Sequence, residues 1–337
     1  MIIVLRPKIT RREETAVVRE IRKLGYTPHI MRGVARTVIG AIGDERTHAS
    51  LEPLASWPQV ESVTPIQKRF KLVSRDAHPT NSTVTARGVV IGGRKVQIMA
   101  GPCSVESEEQ LMRTAVAVKK AGATILRGGA FKPRTSPYEF QGLGEKGLKL
   151  LAKARRETGL PIITELLSEN HADLVAEYAD ILQIGARNAQ NFQLLIAAAK
   201  TGKPVLLKRG LSMKIEEWLL AGEYILANNN AGLLFCERGI RTFETYTRNT
   251  LDLSVIPIVK QESHVPVVID PSQGTGKASL VTAMCRGAIA MGADALLIEV
   301  HPNPSEAWSD GAQQVTLEGF QTLMDDLRPF IQAAGRE

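Results

Sequence analysis

Eight short apolar segments constrain the fold of this 337-residue chain more than any other feature of the sequence. Each segment is rich in Ile, Val and Leu, which is typical of strands buried on both faces, and helical stretches separate nearly all of them. The segments lie at residues 96–100, 124–129, 161–166, 181–185, 204–208, 233–239, 266–270 and 295–300. Buried strands that alternate with helices indicate a (β/α)8 barrel, which needs about 250 residues. The sequence therefore predicts an α/β TIM barrel in residues 87–337.

Residues 1–72 show a different order of elements, strand–helix–strand–strand–helix–strand. The predicted strands are MIIVL, TPHIM, RTVIGAIG and VESVTPI, and the predicted helices are ITRREETAVVREIRKLG and HASLEPLASW. This order is that of a ferredoxin-like α+β domain. Residues 73–86 lack periodicity and are rich in Ser, Thr, Asn and Pro, which predicts a linker. The following VVIGGRKVQ predicts a small hairpin that turns at Gly92–Gly93.

Composition and charge exclude several classes of protein. The net charge of +7 comes mostly from residues 1–80, with 14 Lys/Arg and 8 Asp/Glu, and the absence of an arginine-rich run argues against a nucleic-acid partner. No apolar stretch reaches about 18 residues, and charge begins at Arg6, so we expect a cytoplasmic protein with no membrane association. No GxGxxG follows the first barrel strand, and GTGK at 274–277 lacks the spacing of a phosphate-binding P-loop, so the sequence does not favour a nucleotide-binding protein.

Positively charged residues follow several of the predicted strands, where barrel active sites form. They are Arg127, Lys132, Arg134, Arg187, Lys208 and Arg238. We expect all six to point into one barrel mouth, where they would repel one another unless they bind small, multiply anionic, phosphorylated substrates. The alternative is that Glu165, Glu237 or Glu299 pairs with each of them in structural ion pairs.

A second group of residues suggests a metal site. Cys103, Glu299 and Asp310 follow the first and last strands, and a thiolate with two carboxylates suits a divalent transition metal. His301 and Gln273 lie nearby in register, although His301 is equally explained as a hydrogen-bonded residue at a strand end. Cys236 and Cys285 are interpreted as small buried core residues.

Five segments together resemble one enzyme family. They are GPCS at 101–104, LRGGAFKPRTSPYEFQGLGEKGL at 126–148, IGARNAQNF at 184–192, ERGIRTFE at 237–244 and IEVHPNPSEAWSDGAQQ at 298–314. These motifs resemble the 3-deoxy-D-arabino-heptulosonate 7-phosphate (DAHP) synthases, in particular the type I-beta group, which carries an N-terminal ferredoxin-like regulatory domain. The KPRTS segment differs from the KANRS typical of the sister enzyme that makes 3-deoxy-octulosonate 8-phosphate (KDO8P).

The resemblance implies a reaction and a set of residues. Phosphoenolpyruvate, erythrose 4-phosphate and water would give DAHP and phosphate, the first step of the shikimate route to aromatic amino acids. The substrates would be bound by Arg127, Lys132, Arg134, Thr135, Ser136, Ala186, Arg187, Lys208 and Arg238, with catalytic roles for Lys132, Cys103, Glu165 and Asp270. A divalent ion (Mn, Mg, Co, Fe or Zn) would be held by Cys103, Gln273, Glu299 and Asp310 and would act as a Lewis acid.

One position departs from the family pattern. The family motif after the seventh strand reads Asp-Pro-Ser-His, and its histidine is a metal ligand, whereas this chain has Gln273. An amide oxygen is a weaker donor than an imidazole nitrogen. Two alternatives therefore stay open beside an active DAHP synthase: a KDO8P-synthase-like enzyme, and a metal-poor homologue that binds phosphorylated ligands or a partner protein.

The resemblance also implies regulation and assembly. Residues 1–72 would bind tyrosine or phenylalanine and inhibit the barrel of a neighbouring subunit in a homo-oligomer, a dimer or a tetramer. A role of this domain in stabilising the oligomer alone is the alternative. A chorismate mutase is a further partner that the resemblance leaves open.

Overall fold

The computed structural model describes residues 1–33, 36–43, 48–64 and 69–337. Its contacts divide the chain into two compact units, residues 1–81 with 262–264 and residues 82–261 with 265–337. In the described part of the chain, no helix combines the length and the apolar character that crossing a bilayer requires. The domain boundaries expected from the sequence, at residues 72 and 87, stay a prediction.

The first unit contains a four-stranded antiparallel sheet of order β2-β3-β1-β4. Its elements are β1 (Ile2–Leu5), α1 (Arg11–Lys23), β2 (Thr27–Arg32), β3 (Thr37–Ile42) and β4 (Val60–Thr64). Helix α1 begins at a capping box, in which Thr10 accepts a hydrogen bond from the Glu13 amide and the Glu13 carboxylate accepts one from the Thr10 amide. Its apolar face packs Val17 and Ile21 onto the sheet residues Ile3 and Ile39. This order confirms the predicted ferredoxin-like fold.

One predicted helix of this unit is wrong. HASLEPLASW forms only a five-residue 3-10 helix, Glu52–Ser56, and Leu51 at its start supplies no side-chain cap to favour a longer α-helix. The predicted fourth strand extends to Ile66, but residues 65–66 lie outside the described residues.

The second unit is a closed barrel of eight parallel strands, as the sequence predicts. The strands are β7 (Gln97–Gly101), β8 (Ile125–Arg127), β9 (Ile162–Glu165), β10 (Ile181–Ile184), β11 (Val205–Lys208), β12 (Leu233–Glu237), β13 (Val267–Ile269) and β14 (Ala295–Glu299). The last strand pairs with the first over five residue pairs, from Ala295 with Gln97 to Glu299 with Gly101. This closure places Glu299 beside the segment that carries Cys103.

Helices surround the barrel. They are α2 (Glu108–Ala121), α3 (Glu145–Thr158), α4 (Ala172–Tyr178), α5 (Phe192–Lys200), α6 (Ile215–Leu226), α7 (Val255–Glu262), α8 (Pro271–Thr275), α9 (Ala278–Ala290) and α10 (Leu317–Ala333). Helix α8 is an extra turn between β13 and α9, and Asp270 caps it by accepting a hydrogen bond from the Gln273 amide. This cap fixes the backbone of Gln273 at the end of β13.

A hairpin packs against the barrel interior at the amino ends of the strands. It is formed by β5 (Val84–Ala86) and β6 (Val89–Ile91), and Val84, Ala86 and Ile91 pack with core residues such as Met99 and Ile125. The predicted turn at Gly92–Gly93 is wrong, because the strands join at Arg87–Gly88, whose φ angles are 44° and 84°. Positive φ at both central residues is the requirement of a two-residue type I′ turn. The last three residues of the predicted linker therefore form a strand.

Candidate active site

A cavity of about 320 Å³ lies at the carboxyl ends of the barrel strands, here called the barrel mouth. Positively charged side chains outnumber acidic ones in its lining. The lining cations are Lys132, Arg134, Arg187, Lys208, Arg238, Arg241 and Arg248, and the acids are Glu139, Glu165 and Asp310. Such a surplus of positive charge repels itself in a partly enclosed space, and bound anions would relieve that repulsion. The arrangement therefore suits a ligand with more than one negative group.

Three side chains of the types that ligate metals meet at the edge of this cavity. The Cys103 sulfur and one carboxylate oxygen each from Glu299 and Asp310 all lie within 4.8 Å of one another, a spacing at which they can share one ion. Two residues before Cys103, the backbone passes close to the carbonyl oxygen of Arg127. Only glycine fits at position 101, because a Cβ atom there would lie 2.1 Å from that oxygen. The predicted ligands Cys103, Glu299 and Asp310 thus form one cluster, and their donor set fits a divalent transition metal.

Lys132 lies directly against this cluster. Its Nζ is 3.1 Å from Cys103 Sγ and 3.3 Å from the Cys103 carbonyl oxygen, and the residue is only 6% exposed. Its stem packs against Gly129, and the residue lines the barrel mouth. Burial alone would lower the pKa of Lys132, but Cys103 and Glu299 together raise it, so the ammonium form is retained.

The pKa values of Cys103 and Asp310 are shifted in opposite directions. Burial, helped by the nearby Glu299 carboxylate and opposed by Lys132, raises the pKa of the Cys103 thiol to about 12. Burial alone would also raise the pKa of Asp310, but Arg248 and Lys132 hold it below its ordinary value. The carboxylate is therefore ready to bind a cation, whereas the thiol must lose a proton first.

Two of the six predicted cations are already paired with buried carboxylates. Arg127 Nη1 lies 3.2 Å from Glu299 Oε1, and Lys208 Nζ lies 2.6 Å from Asp270 Oδ2. Arg127 also donates to the Pro102 carbonyl and is not among the residues that line this cavity in the described chain, so its contact with substrate stays a prediction. The ion-pair alternative thus holds for Arg127, whereas Lys208 both pairs and lines the cavity.

Arg238 has a buried guanidinium that is incompletely satisfied. Its Nη2 donates to Gln273 Oε1 at 2.9 Å, but its Nε and Nη1 find no hydrogen-bond partner among the described residues. Burial lowers the pKa of Arg238 below its ordinary value. The Asp270 carboxylate opposes this shift, and the positive charge of Arg248 adds to it. Two unpaired donors beside the cavity indicate a place for an anion, because leaving such groups buried and unpaired is costly.

The remaining predicted substrate residues lie on two loops of the mouth. Arg134 and Thr135 line the cavity after β8, with Arg134 paired to Glu139 at 2.9 Å, and Ala186 and Arg187 line it after β10. Ser136 is not among the lining residues in the described chain; its amide faces the Glu139 carboxylate at 3.5 Å. Arg187 is exposed, so its side chain is free to move onto a ligand.

The two predicted catalytic carboxylates occupy different positions. Glu165 lines the cavity and accepts a hydrogen bond from Gln183 at 3.2 Å. Asp270 is fully engaged, since one oxygen accepts from Lys208 and the other from the Gln273 amide. Asp270 therefore contributes by fixing Lys208 and the start of α8.

The alternative explanation of His301 is the one the structure favours. Its Nε2 lies 3.2 Å from Glu106 Oε2, and its Nδ1 accepts a hydrogen bond from the Asn303 amide at 3.1 Å. Both ring nitrogens are engaged, which leaves neither for a metal. Cys236 and Cys285 are fully buried core residues, as expected.

Among the lining residues that the sequence analysis missed, three lie on one loop. Arg241, Arg248 and Asn249 lie on the long loop between β12 and α7, and Arg248 contacts both Asp310 at 3.2 Å and Gln313 at 2.9 Å. The sequence analysis chose candidates at the ends of predicted strands. This long loop has no strand periodicity, so its residues were not selected. The signal available was the density of Arg and Thr in residues 241–250.

Comparison with known proteins gives matches over the whole chain. The DAHP synthetase I family matches residues 73–333, and the DAHP synthase ferredoxin-like domain matches residues 1–68. The phospho-2-dehydro-3-deoxyheptonate aldolase of Thermotoga maritima is 49% identical over 335 residues, 99% of either chain. The 2-dehydro-3-deoxyphosphooctonate aldolase of Caulobacter vibrioides is 33% identical over 278 residues, 76% of this chain and 95% of that relative.

Two solved structures are similar as well. A crystal structure of the Thermotoga maritima DAHP synthase covers 100% of this chain and 98% of its own, with a TM-score of 0.80 and 48% identity. A truncated form of the 3-deoxy-D-arabino-heptulosonate 7-phosphate synthase from Thermotoga maritima covers 80% of this chain and 98% of its own, with a TM-score of 0.75 and 49% identity.

Proposed function

This chain belongs to the DAHP synthetase I family, and from that premise we propose that its barrel mouth joins phosphoenolpyruvate to erythrose 4-phosphate. The chain is a DAHP synthase, an aldol-type enzyme that forms a carbon–carbon bond. With water, the reaction gives DAHP and phosphate and opens the shikimate route. The observation that supports the assignment of the site is the buried Arg238 guanidinium, with two unpaired donors beside the three-residue cluster.

The anionic groups of phosphoenolpyruvate are assigned to the inner part of the cavity. Arg238 offers its two unpaired nitrogens, Nε and Nη1, Lys208 and Lys132 offer ammonium groups, and Arg187 closes from the exposed side. Arginine suits bidentate contact with phosphate or carboxylate, whereas lysine acts as a point charge. Arg127 contributes from behind by holding Glu299 in place.

The phosphate of the aldose is assigned to the loop after β8. Arg134 and Thr135 line the outer cavity, and Ser136 follows them. Arg134 is paired with Glu139, a residue that is about half exposed, so the substrate phosphate can exchange for that carboxylate at little cost.

A divalent metal would be held by Cys103, Glu299 and Asp310, whose donor set fits it. When bound, such an ion supplies Lewis-acid polarisation of the aldehyde. Lys132 holds its proton 3.1 Å from Cys103 Sγ and is the group placed to move a proton near the enol carbon of phosphoenolpyruvate. Gln273 stays a ligand predicted from sequence, whereas its observed contacts are with Arg238 and Glu299.

Positive charge develops when the enol double bond of phosphoenolpyruvate attacks the aldehyde carbon and leaves its own phosphate-bearing carbon cationic; water adds to that carbon, and phosphate then leaves by C–O cleavage. Glu165 and Asp310 carry negative charge at the cavity wall, and the surrounding cations stabilise the phosphate and carboxylate. Preorganised charges of this kind stabilise a charged intermediate without reorganisation.

Residues 1–72 would act as a regulatory domain joined by the linker 73–86 to the barrel, bind tyrosine or phenylalanine, and inhibit the barrel in a dimer or tetramer. An effector acts only if it binds the closed arrangement better than the open one. A cytoplasmic location and a chorismate mutase partner stay predictions.

The choice of aldose tests the proposed reaction. Purified protein supplied with phosphoenolpyruvate should form DAHP with erythrose 4-phosphate and little product with arabinose 5-phosphate. A preference for arabinose 5-phosphate would instead identify a KDO8P-synthase-like enzyme. No product with either sugar, in the presence of added divalent metals, would favour the metal-poor binding homologue.

A further inference from the structure

The side chain of Gln273 connects two groups that the proposed function treats separately. Its Oε1 accepts a hydrogen bond from Arg238 Nη2 at 2.9 Å, and its Nε2 donates to Glu299 Oε1 at 3.3 Å. Its backbone is fixed at both ends, since its amide donates to Asp270 and its carbonyl accepts from Asn249. The amide therefore bridges a cavity arginine and a carboxylate of the metal-binding cluster.

The chemistry of the two neighbours determines which way this amide points. A guanidinium has only donors, so it must face the amide oxygen, and an ionised carboxylate has only acceptors, so it must face the amide nitrogen. Turning the oxygen of Gln273 towards a metal at the cluster would leave the NH2 group against Arg238, donor against donor. Ligation by Gln273 would thus break two hydrogen bonds to charged groups.

Gln313 makes the same kind of bridge on the other side of Glu299. Its Nε2 donates to Glu299 Oε2 at 2.6 Å, and its Oε1 accepts from Arg248 Nη1 at 2.9 Å. Both carboxylate oxygens of Glu299 are therefore held by glutamine amides whose oxygens are occupied by cavity arginines. A repeated amide bridge of this kind indicates a positioning role for both side chains.

We propose that Gln273 is a positioning residue that ties Arg238 to Glu299, and that it is not a metal ligand. This inference rests on the proposed function, because it takes Arg238 as a contact for phosphoenolpyruvate. With Nη2 held by Gln273, the Arg238 guanidinium keeps one orientation, and its Nε and Nη1 stay available for the substrate anion. The metal would then have three protein ligands, and its further positions are left to water or substrate.

The test measures phosphoenolpyruvate binding to the metal-free full-length protein by calorimetry. Gln273→Leu removes the bridge and should weaken binding about tenfold, the effect of losing one hydrogen bond to a charged group. The near-isosteric Gln273→Glu should weaken it also, because its carboxylate would pair with Arg238 and compete with the substrate. In an Arg238→Lys background, Gln273→Leu should have little further effect, since contacting residues are not additive.

The matched control is Gln97→Leu. Gln97 is a buried glutamine at the start of β7, at the opposite end of the barrel, and its Nε2 donates to the Val90 carbonyl. The same substitution there should leave phosphoenolpyruvate affinity as in wild type. A second readout is the absorption spectrum of the Co²⁺-loaded protein, whose band intensities depend on coordination number and which Gln273→Leu should leave unchanged.

Two results would overturn the inference. One is metal-free Gln273→Leu protein that binds phosphoenolpyruvate as tightly as wild type. The other is a Co²⁺ spectrum of Gln273→Leu that shows a lost ligand. If wild type and Gln97→Leu also fail to bind phosphoenolpyruvate, the proposed function fails and the inference falls with it, which is a distinguishable outcome.

Discussion

Replacing Lys132 with methionine removes a buried ammonium group that lies 3.1 Å from Cys103 Sγ. At that distance and an effective dielectric constant of about 20, an ammonium stabilises a thiolate by about 5 kcal/mol. Loss of this attraction raises the pKa of Cys103 further, and metal binding requires the deprotonated thiol. That attraction corresponds to about 5,000-fold, but the ammonium also repels a divalent ion held at the cluster, so we expect metal affinity near neutral pH to fall by about 100- to 1,000-fold.

A second loss concerns turnover. A positioned proton donor contributes about 10²- to 10⁴-fold to a rate, so kcat of Lys132→Met should fall by that factor even at saturating metal. The fold should persist, because methionine matches the length of the lysine stem and the backbone hydrogen bond from Lys132 to Gln141 is retained. Lys132→Arg is the matched control; it keeps the charge and should retain metal affinity better than Lys132→Met.

Equilibrium dialysis against Mn²⁺ measures the first loss, and DAHP formation at saturating Mn²⁺ measures the second. Thermal unfolding establishes that the variant is folded. Near-normal kcat of Lys132→Met at saturating metal would refute the assignment of Lys132 to proton movement, and unchanged metal affinity would refute the electrostatic argument.

Three further predictions address regulation, metal choice and pH. Deleting residues 1–72 should leave an active barrel that ignores tyrosine and phenylalanine in an inhibition assay, whereas continued inhibition would place the effector site elsewhere. Gln273→His should tighten metal binding by about ten- to a hundredfold, with Zn²⁺ gaining more than Mn²⁺, and equal affinities in a metal titration would show that position 273 does not reach the ion. Burial lowers the pKa of His264 to about 4 from an ordinary value of 6.5, so the unfolded chain binds a proton that the folded one does not. The free energy of unfolding should therefore fall by about 3 kcal/mol as pH drops from about 6.5 to 4, and urea unfolding of His264→Gln should lose that dependence.

The barrel strands could be predicted because their signal is local. The runs at residues 205–207 and 295–298 are apolar throughout, since both faces of each strand are buried. The residues at their carboxyl ends could be placed at one mouth because strands of a parallel barrel end on the same side. The cluster of Cys103, Glu299 and Asp310 follows from that geometry.

Features that depend on contacts between distant residues were not predictable. The pairing of Arg127 with Glu299 joins residues far apart in sequence, and nothing in either segment indicates which cation takes which acid. The hairpin turn was misplaced because Gly92–Gly93 is the stronger turn signal, whereas Arg87 adopts a positive φ that arginine rarely has. Arg248 was missed because its loop has no period from which a direction can be read.

Phosphate release from phosphoenolpyruvate and erythrose 4-phosphate, followed after chelation and again after metal is added back, tests the central claim most directly. The account predicts that the chelated protein releases almost no phosphate and that a divalent ion restores release together with an equal amount of DAHP. Wild-type release that is unaffected by chelation would contradict a role for the cluster of Cys103, Glu299 and Asp310. Phosphate release without DAHP, at any metal concentration, would contradict the proposed condensation itself.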